Sequence, residues 1–281
     1  MEAEPTTVTR ISSEKMGWVA ESPEEPPTPL RPIAEAVKAT LTHLDLRGGV
    51  TLRIDSELPP SSGLGSSSAV AVAAVTAVAS SFGHRLQGEE IEKLATVSER
   101  ILHGNPSGVD VSVAVHGGLI LFKRGQPVRR VEVVGNTELV VGVSGIERST
   151  SEMVRRFAEA KDRSPRLFEA LVDACSRLGE MAAEALVKQD LPTLGSFLNY
   201  QHIVLKAFGV SAEILDQMVE EALRHGALGA KLTGAGGGGS MIALPLQGGA
   251  EGLKAALVGF GADAFITSIP SGGVRTWRLP A

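Results

Sequence analysis

The sequence predicts an α+β protein of two domains, and three observations support that prediction. The chain has 281 residues, which exceeds the roughly 100–200 residues of a typical domain. Hydrophobic residues make up 43% of it and charged residues 21%, so a core can form without disulfides or metal ions. Helical and strand-like segments follow one another in mixed order and not in the strict alternation that builds a parallel sheet.

The first half of the chain is expected to form one domain, over residues 1–136. Its opening segment, 1–32, holds six prolines among Glu, Ser and Thr, so we expect it to be irregular. The run at 69–82 is almost wholly apolar and too long for a strand, which predicts a buried helix. In chain order the pattern predicts a helix at 33–44, a strand at 50–54, helices at 69–82 and 89–102, and strands at 119–122 and 128–134; a further strand at 139–143 would begin the second domain.

The second expected domain, over residues 137–281, is rich in helices. Its last long helix is expected to end before Gly226, since glycine commonly follows a helix C-terminus. The predicted elements are helices at 152–161, 167–187 and 211–225, a strand at 241–244, a helix at 253–260, and strands at 265–269 and 274–279.

Composition limits the kinds of partner and compartment. Asp and Glu number 32 against 27 Lys and Arg, and the net charge of −5 disfavours non-specific binding to nucleic acid. No apolar run approaches the ~18 residues of a membrane span and none has the pattern of a signal peptide, so we expect a cytoplasmic protein. The lone Cys175 is expected to be a buried thiol. A homodimer would fit the frequency of dimers among soluble enzymes.

The segment Pro59–Ala69 reads Pro-Pro-Ser-Ser-Gly-Leu-Gly-Ser-Ser-Ser-Ala and joins a predicted strand to the buried helix. Glycines allow a close backbone approach, and a helix N-terminus offers unpaired N–H groups to a phosphate. The common P-loop pattern Gly-x-x-x-x-Gly-Lys-Ser/Thr does not occur. From these residues alone, phosphate binding and a tight turn capped by a serine remain equally open.

A second segment, Glu99–Asp110, places two acids on either side of a loop that contains Gly and Pro. If the loop brings the acids together, one carboxylate can hold Mg²⁺ while the other accepts or orients a hydroxyl proton. Two acids at this spacing are more often part of a solvated surface. A lone histidine such as His103 is more often a capping or packing residue than a catalyst.

A third segment, Lys231–Ser240, reads Lys-Leu-Thr-Gly-Ala-Gly-Gly-Gly-Gly-Ser. Four consecutive glycines usually indicate a flexible linker. Here an apolar strand follows at once, which favours a loop inside a domain where the backbone passes close to a ligand or to other backbone.

Together the three segments resemble the GHMP kinase superfamily, and Glu-Arg-x-x-His-Gly-x-Pro-Ser-Gly-x-Asp is similar to the mevalonate kinases within it. The resemblance runs from about Ile33 to the C-terminus. It implies a domain like ribosomal protein S5 domain 2 followed by a ferredoxin-like domain. It also implies that ATP and Mg²⁺ are required for the phosphorylation of mevalonate to 5-phosphomevalonate.

The resemblance assigns a role to individual residues of this chain. Asp110 corresponds to the catalytic aspartate, while Ser67 and Glu99 correspond to the Mg²⁺ ligands. Arg148, Thr150 and Thr233 correspond to substrate-side residues, although Thr150 is equally suited to cap the following helix. The residues assigned to ATP binding are Gly63, Leu64, Gly65, Ser66, Ser67, Ser68, Gly234, Gly236 and Gly237.

The first motif of the family, Pro-Gly-Lys before an apolar strand and Gly-Glu-His, has no match between Met1 and Pro32. Lys15 stands among different neighbours. The first strands of the N-terminal domain are therefore expected to be missing, and the activity of this chain to be low. Two alternatives follow: another small-molecule kinase of the superfamily, acting on phosphomevalonate, homoserine or the mevalonate 3-hydroxyl, or a catalytically silent binding protein.

Overall fold

The computed structural model describes residues 1–15, 17–20, 29–58, 63–104, 106–133, 135–146, 150–270 and 272–277, without the side chains of His103, Thr150 and Ser151. The chain divides into two compact units by its internal contacts. Residues 1–60, 65–128 and 271–281 form the first unit, and residues 61–64 and 129–270 form the second. This division describes contacts, so the expected folding domains 1–136 and 137–281 stay a prediction.

The first unit combines a four-stranded sheet with helices. Its sheet has the strand order β1-β4-β2-β3, in which β4 runs antiparallel to β1 and parallel to β2, while β2 and β3 are antiparallel. Its elements are β1 (Glu2–Thr6), β2 (Arg10–Ser13), β3 (Trp18–Ala20), α1 (Arg31–His43), β4 (Gly49–Arg53), α2 (Ser66–Ser81), α3 (Gly88–His103), α4 (Val109–His116) and β5 (Leu119–Leu121).

Strands β1, β2 and β3 all lie within the first 20 residues, so the expectations of an irregular opening segment and of missing first strands are wrong for the described residues 1–15 and 17–20. Pro5 lies in β1, the edge strand that pairs with β4 in the described sheet, and an edge strand tolerates a residue without an N–H donor. Ile11 in β2 is fully buried beside Val50 and Leu52 of β4. These strands have three to five residues each and few apolar ones among them, so no period-two pattern marks them in the sequence.

Helix α2 is the centre of the first unit, as its apolar sequence predicts. On one side Ala74 and Val78 pack in a cluster with residues of the sheet and of α1. On the other side Ala71 and Val75 pack with residues of α3 and α4. Burial on both sides explains why the helix has almost no polar residue between its ends.

The strand expected at 274–279 is wrong for its described part, because residues 272–277 have no regular secondary structure. Their backbone instead packs against the end of α4. Val274 N–H donates to the carbonyl of Ala114 at 3.1 Å, and Val274 joins the cluster of α2, α3 and α4. This bond to a helix terminus replaces the ladder that a strand would need.

The second unit contains an antiparallel sheet with the strand order β10-β7-β9-β8. One face of this sheet packs against two helices through Leu215, Met218, Leu253 and Leu257. Its elements are β6 (Arg129–Val131), β7 (Glu138–Val143), α5 (Thr150–Arg163), α6 (Pro165–Val187), α7 (Leu191–Ala207), α8 (Glu213–Arg224), β8 (Ala227–Leu232), β9 (Ser240–Pro245), α9 (Ala250–Phe260) and β10 (Asp263–Ser268).

Two neighbouring elements of the second unit, α7 and β8, have no counterpart in the sequence prediction. Helix α7 contains Gly195 and lies against β8 so closely that a Cβ on Gly195 would be 2.8 Å from Cβ of Leu228. Strand β8 is rich in Gly and Ala, which have low strand propensity. Their mutual packing, and not local propensity, explains both elements. Among the described residues, no helix is long and apolar enough to cross a membrane.

Candidate functional site

The N-terminus of α2 begins at a glycine in the left-handed region. Gly65 is the N-cap with φ of 72°, and no side chain caps the helix there. The first backbone bond of the helix runs from Ala69 N–H to the carbonyl of Gly65 at 3.0 Å. The N–H groups of the first turn therefore have no partner within the helix and can bind an anion. The alternative of a serine-capped turn does not apply, because the cap residue is Gly65.

Asp110 lies beside this helix start. It stands in the first turn of α4, which follows Gly108 at φ of 87°. A Cβ built on Gly65 would lie 3.6 Å from Oδ1 of Asp110, so the backbone of the glycine and the carboxylate face each other within the first unit. The N-terminal end of α4 also favours a negative charge at Asp110. A phosphate on α2 and a hydroxyl on Asp110 would be neighbours.

Glu99 is a buried carboxylate near the end of α3, with only 4% of its surface exposed. The hydroxyl of Ser68 donates to Oε1 of Glu99, and Ser68 is itself fully buried. A buried carboxylate needs such a partner because desolvation is costly. The first turn of α2 and Glu99 are thus joined directly, which sequence spacing alone does not reveal.

The expected Mg²⁺ ligands, Ser67 and Glu99, carry oxygen atoms of the kind that Mg²⁺ binds. Mg²⁺ prefers hard oxygen ligands and commonly uses only one or two protein groups besides phosphate oxygens and water. A carboxylate and the hydroxyls of α2 are ligands of that kind. The structure shows Ser68 on Glu99, while Ser67, which is half-buried, stays the predicted ligand. No cluster of three or more His, Cys, Asp or Glu residues occurs in the described part of the chain.

The glycine loop between β8 and β9, residues 233–239, belongs to the second unit and is closed by backbone hydrogen bonds. Thr233 N–H donates to Ser240 at 3.0 Å, Gly237 N–H to Val210 at 2.8 Å and Gly239 N–H to Ile146 at 3.1 Å. All glycines from 234 to 239 have positive φ. The flexible-linker interpretation is therefore wrong, since the loop is fixed at both ends and in its middle.

Close packing makes several of these glycines necessary. A Cβ on Gly236 would overlap the carbonyl oxygen of Val210, and a Cβ on Gly237 would be 2.5 Å from Sδ of Met153. The Gly237 N–H is bonded to Val210, so any contribution of this residue to ATP binding must come from the shape of the loop. Gly234 is exposed, and Thr233 is half-buried at the end of β8.

Four further predicted residues lie in, or close to, segments outside the described residues. Arg148 lies outside the described residues, and Thr150 begins α5 with a side chain outside them. Gly63 has φ of 76°, which glycine adopts without strain, and Leu64 is half-buried; both precede the N-cap of α2. The assignments of these four residues stay predictions.

A buried polar group next to the glycine loop was missed by sequence reasoning. His202 of α7 accepts a hydrogen bond from Leu232 N–H, one residue before the loop, and lies 3.2 Å from Asp216 of α8. Burial lowers the pKa of His202 and outweighs the attraction of Asp216. Lys231 is also desolvated, which lowers its pKa to about 8. Because α7 was not predicted, no signal placed His202 near the loop.

Two family models match the segments of the chain that contain these residues. The family model of the GHMP kinases N terminal domain matches residues 31–118, and that of the GHMP kinases C terminal matches residues 182–263. The first stretch contains Gly65, Glu99 and Asp110, and the second contains the loop 233–239.

Several of the similar proteins are mevalonate kinases. The mevalonate kinase of Thermococcus sibiricus is 35% identical over 248 residues, which cover 86% of this chain and 74% of that protein. The mevalonate kinase of Pyrococcus horikoshii is 38% identical over 216 residues, which cover 74% of this chain and 63% of that protein. The crystal structure of L. major mevalonate kinase in complex with R-mevalonate matches with a TM-score of 0.80 and 29% identity, covering 97% of this chain and 86% of that chain.

Proposed function

Since this chain belongs to the GHMP kinases, we propose that it transfers the γ-phosphoryl group of ATP to the primary hydroxyl of (R)-mevalonate. The products would be 5-phosphomevalonate and ADP. The observation that carries the proposal is the position of Asp110 beside Gly65, where a Cβ built on the glycine would lie 3.6 Å from the carboxylate at the helix N-terminus. The names of the relatives support the choice of substrate.

The backbone of the first unit would hold the phosphates. N–H groups in the first turn of α2 are directed at an anion by the helix geometry, and their dipoles favour the negative charge. Phosphoryl transfer depends mainly on positioning and on neutralising charge, so preorganised donors of this kind lower the barrier. Gly65 allows the close approach because it has no side chain.

Asp110 would orient the mevalonate hydroxyl and accept its proton as the bond to phosphorus forms. Glu99, fixed by Ser68, would hold Mg²⁺ together with the Ser67 hydroxyl. When bound, Mg²⁺ neutralises charge on the phosphate oxygens. Arg148, Thr150 and Thr233 are the residues proposed to contact mevalonate, and the loop 233–239 is proposed to support nucleotide binding through its fixed shape.

A coupled assay of ADP release tests the reaction and its substrate. Purified protein would be supplied with ATP, Mg²⁺ and, separately, mevalonate, phosphomevalonate, homoserine or galactose. We expect the highest kcat/KM with mevalonate, and a phosphorus NMR spectrum of the product that shows the ester at the primary hydroxyl. Preference for another acceptor would assign a different GHMP kinase activity, and an ester at the 3-hydroxyl would assign a different reaction on the same substrate.

A further inference from the structure

Strand β8 lies at the edge of its sheet, and two side chains of α7 bond to the backbone of that edge. Asn199 Oδ1 accepts from Ala230 N–H at 2.9 Å, and its Nδ2 donates to the carbonyl of Leu228 at 3.4 Å. His202 Nδ1 accepts from Leu232 N–H at 3.3 Å. These groups take the place of a neighbouring strand, since a buried N–H without a partner is costly. The last of these bonds is made immediately before the glycine loop.

The interaction of Nε2 of His202 with Asp216 determines which ring nitrogen carries the proton. Nε2 lies 3.2 Å from Oδ1 of Asp216, so the proton is on Nε2 and Nδ1 is free to accept from Leu232. Asp216 also accepts from the hydroxyl of Ser211 at 2.5 Å and pairs with Nζ of Lys206 at 2.8 Å. The carboxylate is therefore held on both oxygens and sets the tautomer of His202.

Asp216 is also linked to the glycine loop through the residues that precede α8. Ser211, which it binds, directly follows Val210, and the carbonyl of Val210 accepts from Gly237 N–H at 2.8 Å. One carboxylate thus connects to the entry of the loop through His202 and to its middle through the turn before α8. His202 is 7% exposed, so water cannot readily replace these bonds.

We propose that His202, held by Asp216, is a positioning residue that sets the conformation of the loop 233–239 and thereby the rate of phosphoryl transfer. The effect on rate rests on the proposed kinase function, whereas the effect on the loop does not. Protonation of Nδ1 would remove the acceptor for Leu232. The charged groups around the ring are Asp216, which favours protonation, and Lys206 and Lys231, which oppose it.

Two substitutions of His202 distinguish the role of Nδ1 from the role of Nε2. In His202→Asn the amide oxygen can stand near the position of Nδ1 and still accept from Leu232, while in His202→Gln the amide reaches toward Asp216 and Leu232 loses its acceptor. We expect His202→Asn to keep kcat within about threefold of the wild type. His202→Gln should lower kcat about tenfold, because a buried N–H without an acceptor destabilises the loop conformation needed for transfer by about that factor. A packing role predicts the opposite order, because Gln is closer to His in volume.

The measurements are kcat and KM at a temperature where every variant is folded, and hydrogen exchange at residues 232–239. Faster exchange in His202→Gln than in His202→Asn is the expected result. His225→Asn is the matched control: His225 is exposed at the end of α8 and should leave both readouts unchanged. Equal or reversed effects of Asn and Gln, or unchanged exchange in both, would overturn the proposal. Wild-type protein without turnover would refute the proposed function, while exchange would still decide on the loop.

Discussion

The chain contains two glycine-rich loops that differ in where their backbone N–H groups point. At Gly65 the loop ends in a helix whose first N–H groups have no partner within the helix, with Asp110 alongside. In the loop 233–239, the N–H groups of Gly237 and Gly239 are bonded to backbone carbonyls. The first arrangement can receive an anion, and the second fixes a shape. Glycine content alone does not distinguish a binding loop from a packing loop; the partners of the N–H groups do.

The largest effect on catalysis is expected at the first loop, from Asp110→Asn. Turnover should fall about 10²–10⁴-fold because a positioned proton acceptor is lost, while ATP affinity should stay within about threefold. Steady-state kinetics and nucleotide titration measure the two quantities. Asp263→Asn, an exposed aspartate in β10, is the control and should retain full activity. Retained turnover in Asp110→Asn would remove this residue from the mechanism.

Gly65→Val should weaken ATP binding at least tenfold, or about 1.4 kcal/mol. A β-branched side chain would obstruct the approach of phosphate and would penalise the left-handed backbone at φ of 72°. Nucleotide titration provides the measurement. Native affinity in this variant would mean that the loop does not face the nucleotide.

Gly236→Ala, in the second loop, is expected to lower stability, in contrast to the loss of ATP affinity expected for Gly65→Val in the first. Its Cβ would overlap the Val210 carbonyl in a backbone at φ of 82°, so the free energy of unfolding should fall by about 2–3 kcal/mol. Thermal and denaturant unfolding would measure this loss. Gly252→Ala, in helix α9 with open space around it, is the control and should be neutral or stabilising. Unchanged stability in Gly236→Ala would contradict the fixed-shape description.

Glu99→Gln should raise the Mg²⁺ concentration needed for half-maximal activity several-fold, because an amide is a weaker ligand than a carboxylate. The Ser68 hydroxyl can still donate to the amide oxygen, so the fold should persist. A Mg²⁺ titration at saturating ATP and mevalonate tests this role. An unchanged titration curve would assign the metal to other ligands.

The last effect concerns the pH dependence of stability and not catalysis, and it involves Lys231 beside the second loop. Burial lowers its pKa from 10.5 to about 8, so protonation favours the unfolded chain and the free energy of unfolding should rise as pH increases from about 8 to 10. Lys231→Met should remove that rise. Both proteins should carry Cys175→Ala, because burial raises the pKa of that thiol while Lys231 lowers it, so the lysine substitution would otherwise change two titrations at once. Parallel stability curves would show that the lysine is solvated.

The sequence predicts those parts of the fold that carry a strong local pattern. Helix α2 is confirmed because its apolar run has no other stable place than a core. The three N-terminal strands were missed because each depends on pairing with β4 or β2 and has few residues of its own. Helix α7 and strand β8 were missed because they stabilise each other through the close approach of Gly195 and through Asn199 and His202.

The candidate site was predictable as a set of residues but not as a set of contacts. The motif spacing indicates Asp110 and Glu99, whereas the left-handed Gly65 beside Asp110 and the bond from Ser68 to Glu99 arise from the packing of α2 against α3 and α4. His202 carries no motif signal, since its role depends on a helix that local sequence does not define. The sequence pattern therefore predicts the residues of the site, whereas contacts between elements distant in sequence are seen only in the structure.

The most direct test of the central claim is ADP release by the wild-type chain with ATP and Mg²⁺, in the presence and absence of (R)-mevalonate. We predict mevalonate-dependent release that exceeds the rates with homoserine, galactose and phosphomevalonate, together with a product phosphorus signal from a phosphate ester at the primary hydroxyl. ADP release that is independent of mevalonate, or saturable binding of mevalonate without turnover, would contradict the account.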